Sequence, residues 1–485
     1  MLFNSFEFLI FFPIVLALFF ATPQRWRWIL LLAVSYYFYA CWKVEYTFLL
    51  AFITLINYFA GLQIGKTAEK SRQKKYLALS LASSLGMLFI FKYLNFVNES
   101  LRAAFSAFNI FYQIPAFKLL LPIGISFYTF QTLSYTIDVY RGKRAPEKHL
   151  GKFALFASFF PLLLAGPIER STNLLPQFHQ ENRFDWERIK TGCIIMLWGF
   201  FKKIVIADRL AIYVNAIFNQ PGDYYGMHVI LAAIFFAFQI YCDFSGYTDI
   251  AIGAAQIMGY KLMDNFRRPF AARTVREFWQ RWHISLTKWI LEYLYFPLAK
   301  KATKKWQGYL LTFAVFVVIG LWHGAAWNYI LFGAFVGLFL VFAEITRPYR
   351  KKMTDTLFPP DNAWLQRLHS GLQILVVFLI FVFAGVLFRA NSVPDVMIIL
   401  RNMFRELRFT LDALVLPNFS LYELMIAGLA IVTLEIVQWL QQRQPVFSSF
   451  AQRPLWAQYA ISQSLCFSIL MFGEFNLAPF IYFQF

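Results

Sequence analysis

His323 is the residue of this chain whose type and setting point most directly to chemistry. It lies in the stretch 309–343, which contains no Asp, Glu, Lys or Arg. A titratable side chain inside so apolar a run is a candidate functional residue, because placing it in a membrane costs free energy and such residues usually have a function. Apolar surroundings favour the neutral, basic form of imidazole. The pattern therefore predicts a general base, with Trp322 beside it and Asn328 available to orient it or its substrate.

A second histidine, His283, lies in the run 277–289. Arginines precede this run and lysines follow it, which indicates a cytoplasmic membrane surface. One interpretation is an interfacial helix that its tryptophans, among them Trp282, anchor in the membrane. The other is a basic mouth for a phosphate-bearing donor, lined by side chains such as Arg281 and Ser285. In that interpretation His283 stands at the entrance and the other histidine lies deeper.

Asp243 and Asp249 are the only carboxylates between Tyr224 and Tyr260. Carboxylates at membrane depth must pair with a cation or line water. They are therefore either structural partners of an arginine from another span or part of a polar channel, and the sequence gives them no catalytic geometry. No group of His, Cys and Asp has the spacing of a zinc site, so no metal is expected.

Apolar helices must position these residues. The stretch 309–343 would be about 50 Å long as one helix, whereas one span needs roughly 20 residues. It is therefore two spans, or one that breaks near 320–324 with His323 at the break. Residues 119–140 are too polar for a lipid-facing helix, which predicts a kinked or re-entrant segment that lines a cavity.

The composition identifies the class of protein. Of the 485 residues, 59% are hydrophobic, 20% aromatic and only 15% charged, whereas a soluble protein carries more charge. Repeated apolar runs predict an all-α, polytopic membrane protein with roughly ten to twelve spans or half-spans besides re-entrant and interfacial helices. We expect one membrane-embedded domain over residues 1–485. The net charge of +19 lies in short loops, which suits topology and lipid headgroups better than nucleic acid.

The basic loops also predict an orientation. Arg25 and Arg27 follow the first apolar run, and a denser basic cluster at 66–75 follows the third. Both loops are expected in the cytoplasm, because Lys and Arg concentrate there, and this places the N-terminus outside. Arg453 assigns the last loop to the inside, so residues 473–485 form an aromatic tail outside. Both termini are therefore expected to be extracytoplasmic.

Taken together, these motifs resemble the membrane-bound O-acyltransferase (MBOAT) family. The likeness is greatest to its bacterial branch, which O-acetylates alginate, peptidoglycan and other exported polysaccharides. It covers nearly the whole chain and rests on the stretches 121–142, 165–168, 243–249, 277–286, 293–295 and 320–324. The chain departs from many relatives at Leu291 and Glu292, where they carry Arg-Asp, which bears on acceptor details rather than on the histidines.

The resemblance implies that His323 is the catalytic histidine and His283 its companion on the cytoplasmic side. It implies an MBOAT-type funnel in which a cytoplasmic acyl-CoA, usually acetyl-CoA, meets an acceptor that enters from outside, with no bound cofactor. It further implies the bacterial inner membrane, with its lipids, as the location. An extracytoplasmic SGNH-type esterase or transferase is the expected partner that completes the transfer to the polysaccharide.

The C-terminal residues 479–485, PFIYFQF, resemble the aromatic tail of peptidoglycan O-acetyltransferases. In those proteins a tyrosine is proposed to carry the acyl group toward the partner, and by position Tyr482 takes that role. The alternative is an anchor in the aromatic belt of the membrane. The tail favours peptidoglycan as the acceptor, with alginate or another exopolysaccharide as the alternative.

Two other classes of function fit parts of the sequence. A transporter of polysaccharide intermediates also uses broken helices and membrane-depth carboxylates, but no inverted repeat is visible and the histidine motif has no obvious role in transport. A structural subunit of an export complex would predict that both histidines are replaceable. Acyl transfer is the preferred hypothesis, and general-base catalysis by His323 typically contributes about 10²–10⁴-fold to such a reaction.

Overall fold

The computed structural model describes residues 1–485 except 113, 118, 165, 409, 411–413, 444–446, 448, 476–478 and 482–485. The described residues form helices, and the β-structure among them is an isolated bridge between Leu416 and Phe419. The helices, in chain order, are α1 (Phe6–Ala21), α2 (Arg27–Ala40), α3 (Glu45–Lys66), α4 (Lys70–Leu88), α5 (Leu94–Ala107), α6 (Ile125–Tyr140), α7 (Leu150–Ser158), α8 (Phe160–Leu163), α9 (Ser171–Gln177), α10 (Trp186–Phe200), α11 (Asp208–Asn219), α12 (Met227–Ile257), α13 (Val275–Arg281), α14 (Ile284–Ile290), α15 (Phe296–Ala299), α16 (Lys305–His323), α17 (Trp327–Ile345), α18 (Arg347–Leu357), α19 (Ala363–Arg389), α20 (Val393–Asn402), α21 (Leu421–Arg443) and α22 (Leu455–Phe472).

Within the described residues, 8 helices are long and apolar enough to cross a membrane. They are α3, α12, α16, α17, α19, α21, α22 and the continuous run Lys70–Ala107 that contains α4 and α5. The shorter apolar α1 adds to them. The prediction of an all-α polytopic membrane protein is confirmed.

Contacts between residues divide the chain into two compact units. The first unit is Met1–Met196 with Tyr247–Met263, and the second unit is Leu197–Gly246 with Asp264–Phe485. The expectation of a single domain therefore stays a prediction. Each unit is described by itself.

A buried amide joins three helices of the first unit. The Asn57 side chain of α3 donates to Ser84 Oγ of α4 at 2.9 Å, and its oxygen accepts from Ser80 Oγ at 2.6 Å and from Thr136 Oγ1 of α6 at 2.9 Å. Such side-chain hydrogen bonds hold helices together where the apolar surroundings offer no other partner.

The segment predicted to be kinked or re-entrant is one uninterrupted helix, α6, that starts after Gly124. Gly124 has φ +75°, and a Cβ there would lie 2.2 Å from the carbonyl oxygen of Leu163, so only glycine fits. The helix is buried along nearly all of its length. Several of its polar side chains find partners inside the protein, as when Gln131 donates to the carbonyl oxygen of Phe156 at 2.6 Å.

In the second unit, α16 and α17 form an antiparallel pair that packs through glycines. A Cβ at Gly320 would lie 2.2 Å from the carbonyl oxygen of Tyr329, and one at Gly333 would lie 2.3 Å from that of Phe316. Small residues let helix backbones approach this closely. The predicted break near 320–324 is confirmed, because α16 ends at His323 and α17 starts at Trp327.

Candidate active site

A cavity of about 760 Å³ in the second unit has both histidines, His283 and His323, in its wall. One face of α16 lines it from end to end, at the spacing of three and four residues that places side chains on one side of a helix. Lys305 and His323 bound this face, and the 18 residue steps from one to the other span about 27 Å at 1.5 Å per residue. The residues of this face are Lys305, Gly308, Tyr309, Thr312, Val315, Phe316, Ile319 and His323.

Charged side chains gather at the end of the cavity away from His323. Arg276, Lys305 and Arg347 line it together with Glu344, whose carboxylate lies 2.9 Å from Arg276 and 3.8 Å from Arg347. These ion pairs are exposed to solvent and contribute little stability. The excess of positive charge in the described lining suits a phosphate-bearing ligand. Arg276 and Lys305 belong to the predicted basic clusters, whereas Arg347 was missed.

His283 lies between α13 and α14 in an unusual backbone conformation. Its φ of +43° is in the left-handed region, which is rare for a residue other than glycine and is found preferentially at functional sites. The side chain is 1% exposed. Its Nδ1 lies 3.0 Å from Oδ1 of Asn265, a buried residue that no sequence pattern singled out.

The hydrogen bonds around Asn265 determine the tautomer of His283. The backbone N–H of Ser285 donates to Asn265 Oδ1 at 3.2 Å, and Ser285 Oγ donates to the same atom at 2.8 Å. A backbone N–H can only donate, so the atom that it faces is the amide oxygen. His283 Nδ1 must then carry the proton, and Nε2 is the basic nitrogen of the ring.

The charge state of His283 follows from its surroundings. Burial, and to a lesser degree the neighbouring His323, lowers the pKa of His283 well below its ordinary value. The ring is therefore neutral at neutral pH, as a base must be.

His323 is 5% exposed and sits among aromatic rings. The ring centroids of Trp322, Phe388 and Phe332 lie 4.9, 5.3 and 6.0 Å from that of His323. The ring of Trp322 is also 6.1 Å from that of His283. The structure thus brings the two predicted histidines together, with the predicted Trp322 beside both.

The remaining residues that were predicted to contact the donor differ from one another in what they touch. Trp282 lines the cavity, and Ser285 supports His283 through Asn265. Arg281 is not among the described residues that line the cavity. Its guanidinium pairs with Glu277 at 2.5 Å, one turn back on α13, which stabilises that short helix.

Asn328 joins two helices near His323. Its amide donates to the carbonyl oxygen of Ala390 at 2.8 Å and so connects the start of α17 to the end of α19. The adjacent Phe388 of α19 contacts the ring of His323. Asn328 therefore fixes the position of an aromatic wall of the site, and its predicted role in orienting the histidine or the substrate stays a prediction.

Asp243 takes part in a buried ion cluster in the second unit. Lys203 Nζ lies 2.7 Å from Asp243 Oδ1 and 2.7 Å from Asp208 Oδ1. The partner is thus a cation from another helical segment, as the structural interpretation expected, but it is a lysine and not the expected arginine. Asp249 belongs to the first unit, where it is half-buried.

The cluster also holds the C-terminal segment. The backbone N–H of Ile481 donates to Asp243 Oδ2 at 2.7 Å. The preceding Phe480 is fully buried, and its ring lies 5.5 Å from that of Phe244, which in turn lies 4.6 Å from the ring of His283. Tyr482, the predicted acyl carrier, lies outside the described residues.

Several known proteins are similar in sequence to this chain. The family model of MBOAT, the membrane-bound O-acyltransferase family, matches residues 147–388, which include both histidines and Asn265. A probable alginate O-acetylase of Azotobacter vinelandii is 33% identical over 100% of both chains. One from Pseudomonas aeruginosa is 38% identical over 81% of this chain and 72% of its own length. A peptidoglycan O-acetyltransferase of Helicobacter pylori is 32% identical over 79% of this chain and 73% of its own length. The chain therefore belongs to the membrane-bound O-acyltransferase family and is a multi-pass membrane acyltransferase.

Proposed function

We propose that the protein takes an acetyl group from acetyl-CoA on the cytoplasmic side of the bacterial inner membrane and passes it outward for O-acetylation of an exported polysaccharide. The relatives named for O-acetylation of alginate and of peptidoglycan support the class of reaction. The observation that carries the proposal is a cavity with cationic side chains at one end of α16 and His323 at the other.

The shape and charge of this cavity suit a long thioester donor. Arg276, Lys305 and Arg347 would bind the phosphates of the nucleotide end. Apolar and aromatic side chains line the way from there to His323, so the thioester meets the base in a site that excludes water.

His323 then acts as the general base. As the acceptor oxygen attacks the thioester carbonyl carbon, the imidazole takes the hydroxyl proton. The carbon–sulfur bond breaks, and the departing thiolate of CoA takes the proton that the histidine held. His283, whose Nε2 carries no proton in the tautomer described above, offers a hydrogen-bond acceptor next to the reacting groups. General acid–base help of this kind contributes about 10²–10⁴-fold.

Tyr482 is the proposed first acceptor. Support comes from the residues just before it, because Ile481 is bound to Asp243 and Phe480 packs on the ring that contacts His283. The tyrosyl ester would then pass the acetyl group to an SGNH-type partner outside, where both termini are predicted to lie.

The final acceptor is an exported cell-envelope or extracellular polysaccharide. The sequence of the tail favoured peptidoglycan. The relatives named for alginate are 33% and 38% identical to this chain and the one named for peptidoglycan is 32% identical, so the experiment compares both polymers.

Intact-mass spectrometry after incubation with acetyl-CoA tests the proposal. The wild-type protein in proteoliposomes should gain the mass of one acetyl group and release CoA, whereas His323→Ala and Tyr482→Phe should not gain it. His369→Ala, which removes a histidine that stacks on Phe358, is the matched control and should behave like the wild type. Supplying the SGNH partner with peptidoglycan fragments or alginate then identifies the acceptor.

Three results would overturn the proposal. Normal loading by a folded His323→Ala variant would remove the histidine from the mechanism. Movement of polysaccharide intermediates without consumption of acetyl-CoA would support a transporter instead. If variants at both histidines acetylate normally once a complex has assembled, the protein is a structural subunit.

A further inference from the structure

A second, much smaller cavity adjoins the first at His323. Its volume is about 20 Å³, and it shares Trp279, Trp282 and His323 with the larger cavity. The remaining residues that line it are Phe236, Ile240, Phe332, Phe381, Gly385 and Phe388. We call this small cavity the acyl slot.

The acyl slot is apolar and rigidly walled. Among the described residues that line it, His323 is the only side chain that titrates. The walls support one another, since the ring of Phe388 lies 5.2 Å from that of Phe332 and 6.4 Å from that of Phe236, while the rings of Phe381 and Trp282 are 4.9 Å apart. Buried aromatic side chains packed in this way resist displacement.

The size of the slot admits very little. A space needs roughly 10–15 Å³ of this kind of volume to hold one water molecule, so 20 Å³ accommodates a single group the size of a methyl. Gly385 lines the slot beside Phe236, and a Cβ added to Gly385 would lie 3.2 Å from Phe236 Cδ1. Even one extra methyl group on the wall would therefore crowd the slot.

We propose that the acyl slot receives the methyl group of the transferred acetyl and thereby excludes longer acyl groups, with Gly385 and Phe236 as specificity-determining residues. The inference rests on the proposed function and adds to it the residues that select the acyl group of the donor. When the thioester carbonyl of the donor lies at His323, its sulfur atom points into the large cavity, because that cavity holds the rest of the donor. The opposite substituent of that carbonyl then points into the slot, because the two cavities meet at this histidine.

A donor series with the wild-type protein is the first test. The kcat/KM of thiol release is measured in proteoliposomes with acetyl-, propionyl- and butyryl-CoA. One methylene in an apolar pocket changes kcat/KM by about 10–200-fold, so propionyl-CoA should be slower by that factor and butyryl-CoA slower still. Equal rates for the three donors would overturn the inference. Inertness toward all three would instead overturn the proposed function, and the inference with it.

Two variants locate the selectivity in the slot. Gly385→Ala narrows it and should lower kcat/KM for acetyl-CoA at least about tenfold. Gly371→Ala on the same helix is its matched control, because a Cβ there meets nothing within 4 Å in the described part of the chain. Phe236→Ala widens the slot and should raise the ratio of propionyl to acetyl transfer toward one.

The folded state of each variant is checked by monodisperse elution from size-exclusion chromatography. The ratio of two donors is measured on the same protein sample, so partial loss of folded Phe236→Ala does not alter it. An unchanged donor ratio in Phe236→Ala, together with full acetyl transfer by Gly385→Ala, would show that the acyl group lies elsewhere.

Discussion

Asn265 offers the sharpest test of how the histidine pair is built. Its Oδ1 accepts hydrogen bonds from His283 Nδ1 at 3.0 Å and from the N–H and hydroxyl of Ser285 at 3.2 and 2.8 Å. Asn265→Ala removes this acceptor. The His283 ring then loses the partner that holds the proton on Nδ1, and we expect the rate of acyl transfer to fall.

The size of the fall can be worked from the contacts. Removal of a hydrogen-bond partner from a buried group costs about 1–3 kcal/mol, and about 1.4 kcal/mol corresponds to tenfold in rate. The estimate corresponds to a loss of about 5–150-fold in kcat for Asn265→Ala. Ser285→Ala leaves the bond between His283 and Asn265 in place, so its loss should be smaller.

The pH profile separates a role in positioning from a role in folding alone. In the wild type, burial keeps the pKa of His283 well below its ordinary value, so its contribution should be flat through neutral pH. Asn265→Asp places a carboxylate against Nδ1–H, which favours the imidazolium and raises the pKa of His283. Since Nε2 of His283 can accept a hydrogen bond only while the ring is neutral, activity of this variant should fall at low pH and recover as the pH rises through the raised pKa.

The assay is thiol release from acetyl-CoA in proteoliposomes between about pH 5 and 9, with protein quantity and monodispersity measured on each sample. The reasoning would be refuted if Asn265→Ala kept the wild-type kcat while His283→Ala was inactive. It would also be refuted if Asn265→Asp lost activity equally at every pH.

Three further predictions follow from the second unit. Asp243→Asn removes one of the carboxylates that pair with the buried Lys203. Because a second carboxylate remains, we expect the free energy of unfolding to fall by about 3 kcal/mol, the low end for a broken buried pair. The measurement is a lower Tm in detergent. Gly333→Ala would place a Cβ 2.3 Å from a carbonyl oxygen of α16 and should lower stability by about 1–3 kcal/mol. Gly428→Ala is the control and should leave the Tm unchanged, because a Cβ there meets nothing within 4 Å in the described residues. Lys305→Gln should raise KM for acetyl-CoA and leave kcat nearly constant, because the phosphates are bound equally in the ground and transition states; a fall in kcat alone would contradict a role in donor binding.

The sequence alone was enough to identify the class of protein and to single out His283 and His323. Apolar runs long enough to span a membrane are a local property, so they could be read along the chain. His323 stood out for the same reason, because a titratable side chain in a run without other charges is visible without any tertiary information. The helix break beside it followed from the length of the run.

Expectations about which groups a polar side chain would bond to were incomplete, because the sequence does not show which atoms lie nearby in the folded protein. Arg281 belongs to the predicted basic mouth, yet it bonds within α13, since a neighbour one turn away competes with a distant ligand. Residues 119–140 were expected to be kinked or re-entrant. Residues 125–140 of that segment form one continuous helix, in which Gln131 donates to a backbone carbonyl of α7.

Only the tertiary structure decided which residues complete the site. His283 and His323 are 40 positions apart in the sequence, and the packing of the helices brings them into one cavity. Asn265 and Gly385 belong to other segments with no motif of their own, yet they set the tautomer of one histidine and the width of the slot beside the other. The physical reason is that hydrogen bonding and packing act across a few ångströms in space, whereas periodicity in a sequence reports only on neighbours within the same helix.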